Sequence, residues 1–152
     1  MPNWTSTTVD DRREPMPNWI ANTVEVTGIP KDIRKFQKHM GEGFSFEKII
    51  PPPADMFRGD LGTKERQECA DKGIPNWREW QSENWDTKWD ACHVEVEEQE
   101  FGGRIPLTMV IYRFDTAWAP PEKVIARLRQ DWPEFEITGG YVGEGYEFCG
   151  PF

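Results

Sequence analysis

The stretch from Asn84 to Pro121 constrains the fold most, because it reads as a long β-hairpin bounded by the same short word at both ends. Asp86-Thr87-Lys88-Trp89 opens it and Asp115-Thr116-Ala117-Trp118 closes it. Between them, Cys92 to Glu97 and Ile105 to Phe114 have strand character, and Gly102-Gly103 suits the φ > 0 positions of a two-residue turn. That turn fixes a register. It sets Trp89 against Thr116 and Asp86 near Trp118. Val94 and Val96 then oppose Ile111 and Met109 on a buried side with Leu107 and Ile105. His93 opposes Tyr112 and Glu95 opposes Val110 on the other side.

The flanking segments supply the rest of a sandwich. Ile20, Asn22, Val24 and Val26 alternate with polar residues, the period of a half-buried strand that Gly28 ends. Ile29, Ile33, Phe36 and Met40 recur at helical spacing, with Pro30 in the first turn and Gly41 at the stop. Phe44 to Ile50 reads as extended and is terminated by Pro51-Pro52-Pro53. An irregular stretch follows, with one helix near Lys64 to Asp71 and another from Asn76 to Glu83. After the hairpin, Val124, Ile125, Leu128 and Trp132 mark a second amphipathic helix closed by Pro133. Phe135 and Ile137 begin a last strand, Gly139-Gly140 bends away from it, and Tyr141 to Phe152 folds back as a tail. The expected fold class is α+β: a ferredoxin-like βαββαβ sandwich, with two helices on one face of a four-stranded antiparallel sheet and a Trp-rich insertion, about 52–84, between the first helix and the second strand. Residues 1–15 lack an apolar period and read as a flexible extension, and Met-Pro-Asn-Trp recurs at Met16, which sets the single domain at 16–152.

Charge and cysteine usage narrow the function. The chain has 152 residues and a net charge of −9, whereas nucleic-acid binding needs clustered Lys and Arg to release counterions. Thr23, Glu25, Glu95, Glu97, Tyr112, Glu134 and Glu136 are expected on the open sheet face, where carboxylates repel a phosphate backbone. Direct nucleic-acid binding is therefore not expected. Cys69, Cys92 and Cys149 form no CxxC pair, so no disulfide framework or zinc motif is encoded, and a reducing cytoplasm, that of a host cell, is the expected location. No apolar run has the length of a membrane span.

With the segments placed, a resemblance can be named. Pro17-Asn18-Trp19, Val24-Glu25-Val26-Thr27-Gly28, Phe44-Ser45-Phe46, Asn84-Trp85-Asp86-Thr87-Lys88-Trp89-Asp90 and Phe114-Asp115-Thr116-Ala117-Trp118 resemble the YubB-type ferredoxin-like domain. The resemblance spans Met16 to Gly150 and implies an origin in a phage or conjugative plasmid. It supplies no catalytic residues. The family pattern favours glycine where Asp86 stands, a position suited to φ > 0.

No catalytic, cofactor or metal set emerges. Cys92 and His93 are strand neighbours and would point to opposite faces; the glycine-rich Gly139 to Gly145 opens no helix and so fails as a phosphate cradle. The candidate binding residues are Trp85, Asp86, Lys88, Trp89, Tyr112, Asp115 and Trp118, gathered by the two Asp-Thr-x-Trp words into either a structural wedge or an aromatic cleft. The expected function is that of a non-catalytic accessory protein binding a basic host protein through its acidic surface, to the detriment of a host defence system. A small nucleotide held in the Trp-lined cleft is the alternative, and an uncharacterised enzyme the third reading.

Overall fold

The structure is a computed structural model that describes residues 18–145 and 148–152. The expected extension over 1–15 and the start at Met16 lie outside the described residues. Strand β1, Trp19–Gly28, forms as its alternation dictates: Ile20, Asn22, Val24 and Val26 are all buried. Helix α1, Pro30–Met40, starts at its proline and buries Ile33, Phe36 and Met40. Ile29 sits at the N-cap outside that apolar stripe and is exposed.

Phe44 to Ile50 is not a strand. Phe46–Lys48 is a short 3₁₀ helix, and the reason is local capping. The Ser45 hydroxyl accepts from Glu47 N, while Asp90 accepts from both Ser45 Oγ and Phe46 N at 2.7 Å. Phe44, Phe46 and Ile49 are thereby turned into the core. Two helices follow. Helix α2 is Thr63–Lys72, and α3 is Trp77–Trp85, capped by the Asn76 side chain accepting from Glu79 N.

The hairpin exists, but its register differs. Strands β2, Cys92–Phe101, and β3, Leu107–Ala117, are joined by residues 102–106 and not by a two-residue turn. Val96 lies opposite Tyr112 and not Met109; Glu95 lies opposite Arg113 and not Val110. A displacement by an odd number of residues exchanges the two faces of a strand. Val110, Tyr112 and Phe114 therefore enter the core, while Val96 is 45% exposed and Ile105 is also in solvent. Tyr112, expected on the open face, is 2% exposed, and burial pushes its phenol far above the usual range, with Glu98 adding to the effect.

Helix α4, Glu122–Asp131, packs Val124, Ile125 and Leu128 onto the same sheet face as α1. Strand β4, Glu136–Gly143, runs through Gly139-Gly140 without bending away. A Cβ on Gly139 would stand 2.0 Å from the Thr23 carbonyl oxygen, so β1 and β4 can approach there only because the residue is glycine. The tail returns as β5, Cys149–Pro151, paired with β4. The result is an α+β fold with a five-stranded antiparallel sheet in the order β2-β3-β1-β4-β5. The run β2-β3-β1-β4 follows the ferredoxin-like order; α2 and α3 form in the insertion where two helices are expected, and β5 is additional to the four-stranded layout. No helix among the described residues is long and apolar enough to cross a membrane.

Candidate functional site

The two Asp-Thr-x-Trp words end up at the same end of the sheet but in unlike settings. Their threonines are both buried and both donate to nearby backbone carbonyls: Thr87 Oγ1 to Trp89 O at 2.6 Å and Thr116 Oγ1 to Ala119 O at 2.7 Å. This shared bond stabilises the turn that each word makes. Trp89 does not face Thr116, because β2 begins only at Cys92, which pairs with Asp115.

Asp86 is the C-cap of α3 and has φ +65, the left-handed conformation for which glycine is usual. Its carboxylate has a structural use there. Oδ2 accepts from the backbone N–H of Lys123 at 2.9 Å, in the first turn of α4, and Oδ1 lies 3.6 Å from Lys123 Nζ. A carboxylate at a helix N-terminus satisfies an otherwise orphaned donor and complements the dipole. Lys123, and not Trp118, is the partner of Asp86.

The tryptophans do not converge on one cleft. Trp85 is 1% exposed, donates from Nε1 to the Ile50 carbonyl at 3.0 Å, and meets Phe46 and Trp80 edge-on within the core. Trp77 donates to Gly59 O. Trp85 and Tyr112 are therefore core residues and not cleft walls. Trp89 turns the other way and packs at 6.3 Å from Trp19, with the largely buried Lys88 ammonium 5.1 Å from its ring. Trp19 in turn meets the His93 ring at 5.2 Å.

His93 and Trp19 enter the site through a feature that strand alternation conceals. The β2–β3 register shifts between Cys92 and Glu95, and His93 at that bulge has φ +54. The bulge re-aims the imidazole toward Asp115, with Nδ1 and Oδ2 2.8 Å apart. Asp115 is also the cross-strand partner of Cys92, yet the thiol and the imidazole bond to different groups. The thiol itself donates to the Asp90 carbonyl, and burial, then Asp90 and Asp115, push it above the usual range. A thiol held protonated is a poor nucleophile. Among the described residues no group of three or more His, Cys, Asp or Glu is placed to hold a metal ion.

Trp118 follows β3 at φ +74 and is 46% exposed. Its backbone N–H donates to Asn18 O, and its ring borders an open groove of about 370 Å³ that Ile20, Gly143, Glu144 and Phe148 also line. None of the other six candidate residues lines that groove. The positive-φ residues other than glycine among those described, Asp86, His93 and Trp118, all fall in or beside the two repeated words. Backbone strain of this kind gathers where a surface is shaped for use.

Residues 84–152, a little under half of the chain, match the family described as a ferredoxin-like domain in Api92-like protein. No curated protein and no solved structure matches the chain. The matched segment begins at the first Asp-Thr-x-Trp word and runs through β2, β3, α4, β4 and β5. It supports a ferredoxin-like family, in agreement with the strand order.

Proposed function

We propose that this chain is a non-catalytic accessory protein, of YubB type and encoded by a phage or plasmid, that binds a basic host protein in the host cytoplasm and thereby inhibits a host defence system. The observation that supports this reading is Trp118. A left-handed φ on a residue with a Cβ costs roughly 1–2 kcal/mol, and the indole so placed is 46% exposed, so the conformation recovers only part of the burial open to it. Tryptophan, with tyrosine and arginine, is enriched among the residues that carry most of the binding energy near the centre of protein interfaces. The Trp19, Trp89 and His93 stack and the His93 to Asp115 pair form a second aromatic patch that does not line the Trp118 groove. The net charge of −9 favours a basic partner through electrostatic steering. The nucleotide reading has less support, since Trp85 and Tyr112 are withdrawn into the core.

Affinity capture from host lysate with the full chain, followed by mass spectrometry, tests the proposal. One basic protein should be enriched, released as ionic strength rises, and lost with Trp118→Ala while the melting curve of the variant stays cooperative. Retention of the same partner by the folded variant, or the absence of any specific partner for the wild type, would refute it.

A further inference from the structure

Among the described residues, strand β2 is an edge strand, paired with β3 on one side and with no strand on the other. From Glu95 onward every residue of β2 is exposed, on the helix-side face as well as on the open one, and so is the loop that follows. Its neighbour β3 is by contrast largely buried. The distal half of β2 thus gains little from burial and is held mainly by its ladder to β3. What it displays is one unpaired backbone edge flanked by glutamates on both faces: Glu95 and Glu97 with Gln99 on one, Glu98 and Glu100 with Val96 on the other. Phe101 ends the strand 45% exposed.

We infer that this edge receives an extended basic segment of the partner as an added strand, antiparallel or parallel to β2, with Lys or Arg side chains set against the glutamates. The inference rests on the protein-binding reading and names the segment that such a partner would present. Backbone hydrogen bonds supply the affinity in strand addition, and alternate side chains supply the selectivity. Charge decides the occupant. A second copy of this chain laid along the edge would bring glutamates against glutamates, which is unfavourable in cross-strand pairs, and acidic edges of this sort resist self-association. A basic strand meets complementary charge on both faces. Part of the acidic set is already oriented, since Arg113 and Gln99 hold Glu97 and Gln37 holds Glu98.

The test uses the full chain and a blocked eight-residue peptide alternating Lys and Thr. Two controls accompany it: the same peptide N-methylated at every second residue, which keeps the charge and loses backbone donors, and its Glu/Thr counterpart. Amide chemical shifts should move at Glu95 to Phe101, and hydrogen exchange there should slow. The N-methylated peptide should bind at least tenfold more weakly, and the Glu/Thr peptide should not bind. E95K/E100K should lose the basic peptide and the captured host protein alike. Equal binding of the N-methylated peptide, shifts confined to other strands, or a wild-type dimer that the peptide disrupts would each overturn the inference. Its failure is separable from that of the protein-binding reading. Partner capture that depends on Trp118 but is indifferent to E95K/E100K removes only the edge.

Discussion

Trp85→Ala separates a core tryptophan from a displayed one. The indole is 1% exposed, and a buried tryptophan withdraws roughly 150–250 Å² from water. At about 25 cal/mol per Å² that amounts to ~4–6 kcal/mol, from which some 10–40% is subtracted because the unfolded chain already buries part of it. About 3–5 kcal/mol remains, in line with large aromatic deletions. The Ile50 carbonyl also loses its Nε1 donor, adding about 1 kcal/mol. At roughly 2–4 °C per kcal/mol for a chain of this size, the melting temperature should fall by on the order of 10–20 °C. Trp118→Ala removes a side chain that is 46% exposed and leaves no carbonyl orphaned by its ring, so it should cost about half as much or less. Urea unfolding followed by far-ultraviolet circular dichroism, with the slope unchanged between variants, measures both. Equal losses, or a larger loss at Trp118, would refute the assignment of Trp85 to the core and of Trp118 to the surface.

Asp86→Ala removes the carboxylate that caps α4 and retains the left-handed φ; about 1–2 kcal/mol should be lost, whereas Asp86→Gly relieves the backbone and should lose less, as urea midpoints would report. Gly139→Ala drives a Cβ to within 2.0 Å of the Thr23 carbonyl oxygen, so amide exchange along β1 and β4 should accelerate and stability should drop by several kcal/mol, on the order of the larger single-site effects. The hydrogen bond from Arg113, then that from Gln99, holds the Glu97 carboxyl below the ordinary glutamate value of 4.5. The stabilisation from this depressed group is present above 4.5 and is lost as pH falls through the folded-state value; Arg113→Ala should bring the Glu97 titration, followed by carbon-detected NMR, back up toward 4.5.

Much of the fold was legible because it is written in neighbouring residues. The alternation of Ile20, Asn22, Val24 and Val26, the helical spacing of Ile33, Phe36 and Met40, and the prolines before α4 each encode an element within a few positions, and the structure forms each of them. The candidate site was less legible. Asp86 turns to Lys123, Trp89 to Trp19, Asp115 to His93 and Trp118 to a groove of its own, while Trp85 and Tyr112 go to the core. What misled was the turn: Gly102-Gly103 is compatible with a two-residue reversal, yet the loop spans 102–106 and carries β3 into another register.

Local pattern alone located β1, α1, the hairpin strands and α4 and the repeat of their apolar stripes, because periodicity and turn chemistry act over a few bonds, but it did not give the 3₁₀ turn at Phe46–Lys48 or strand β5. Only the tertiary structure decided which face of the hairpin is buried, that a bulge turns His93 toward Asp115, and that Asp86 accepts a glycine-like φ in order to cap α4. These depend on a register in which a shift of one residue exchanges faces, and on contacts between segments far apart in the chain, which no local pattern specifies.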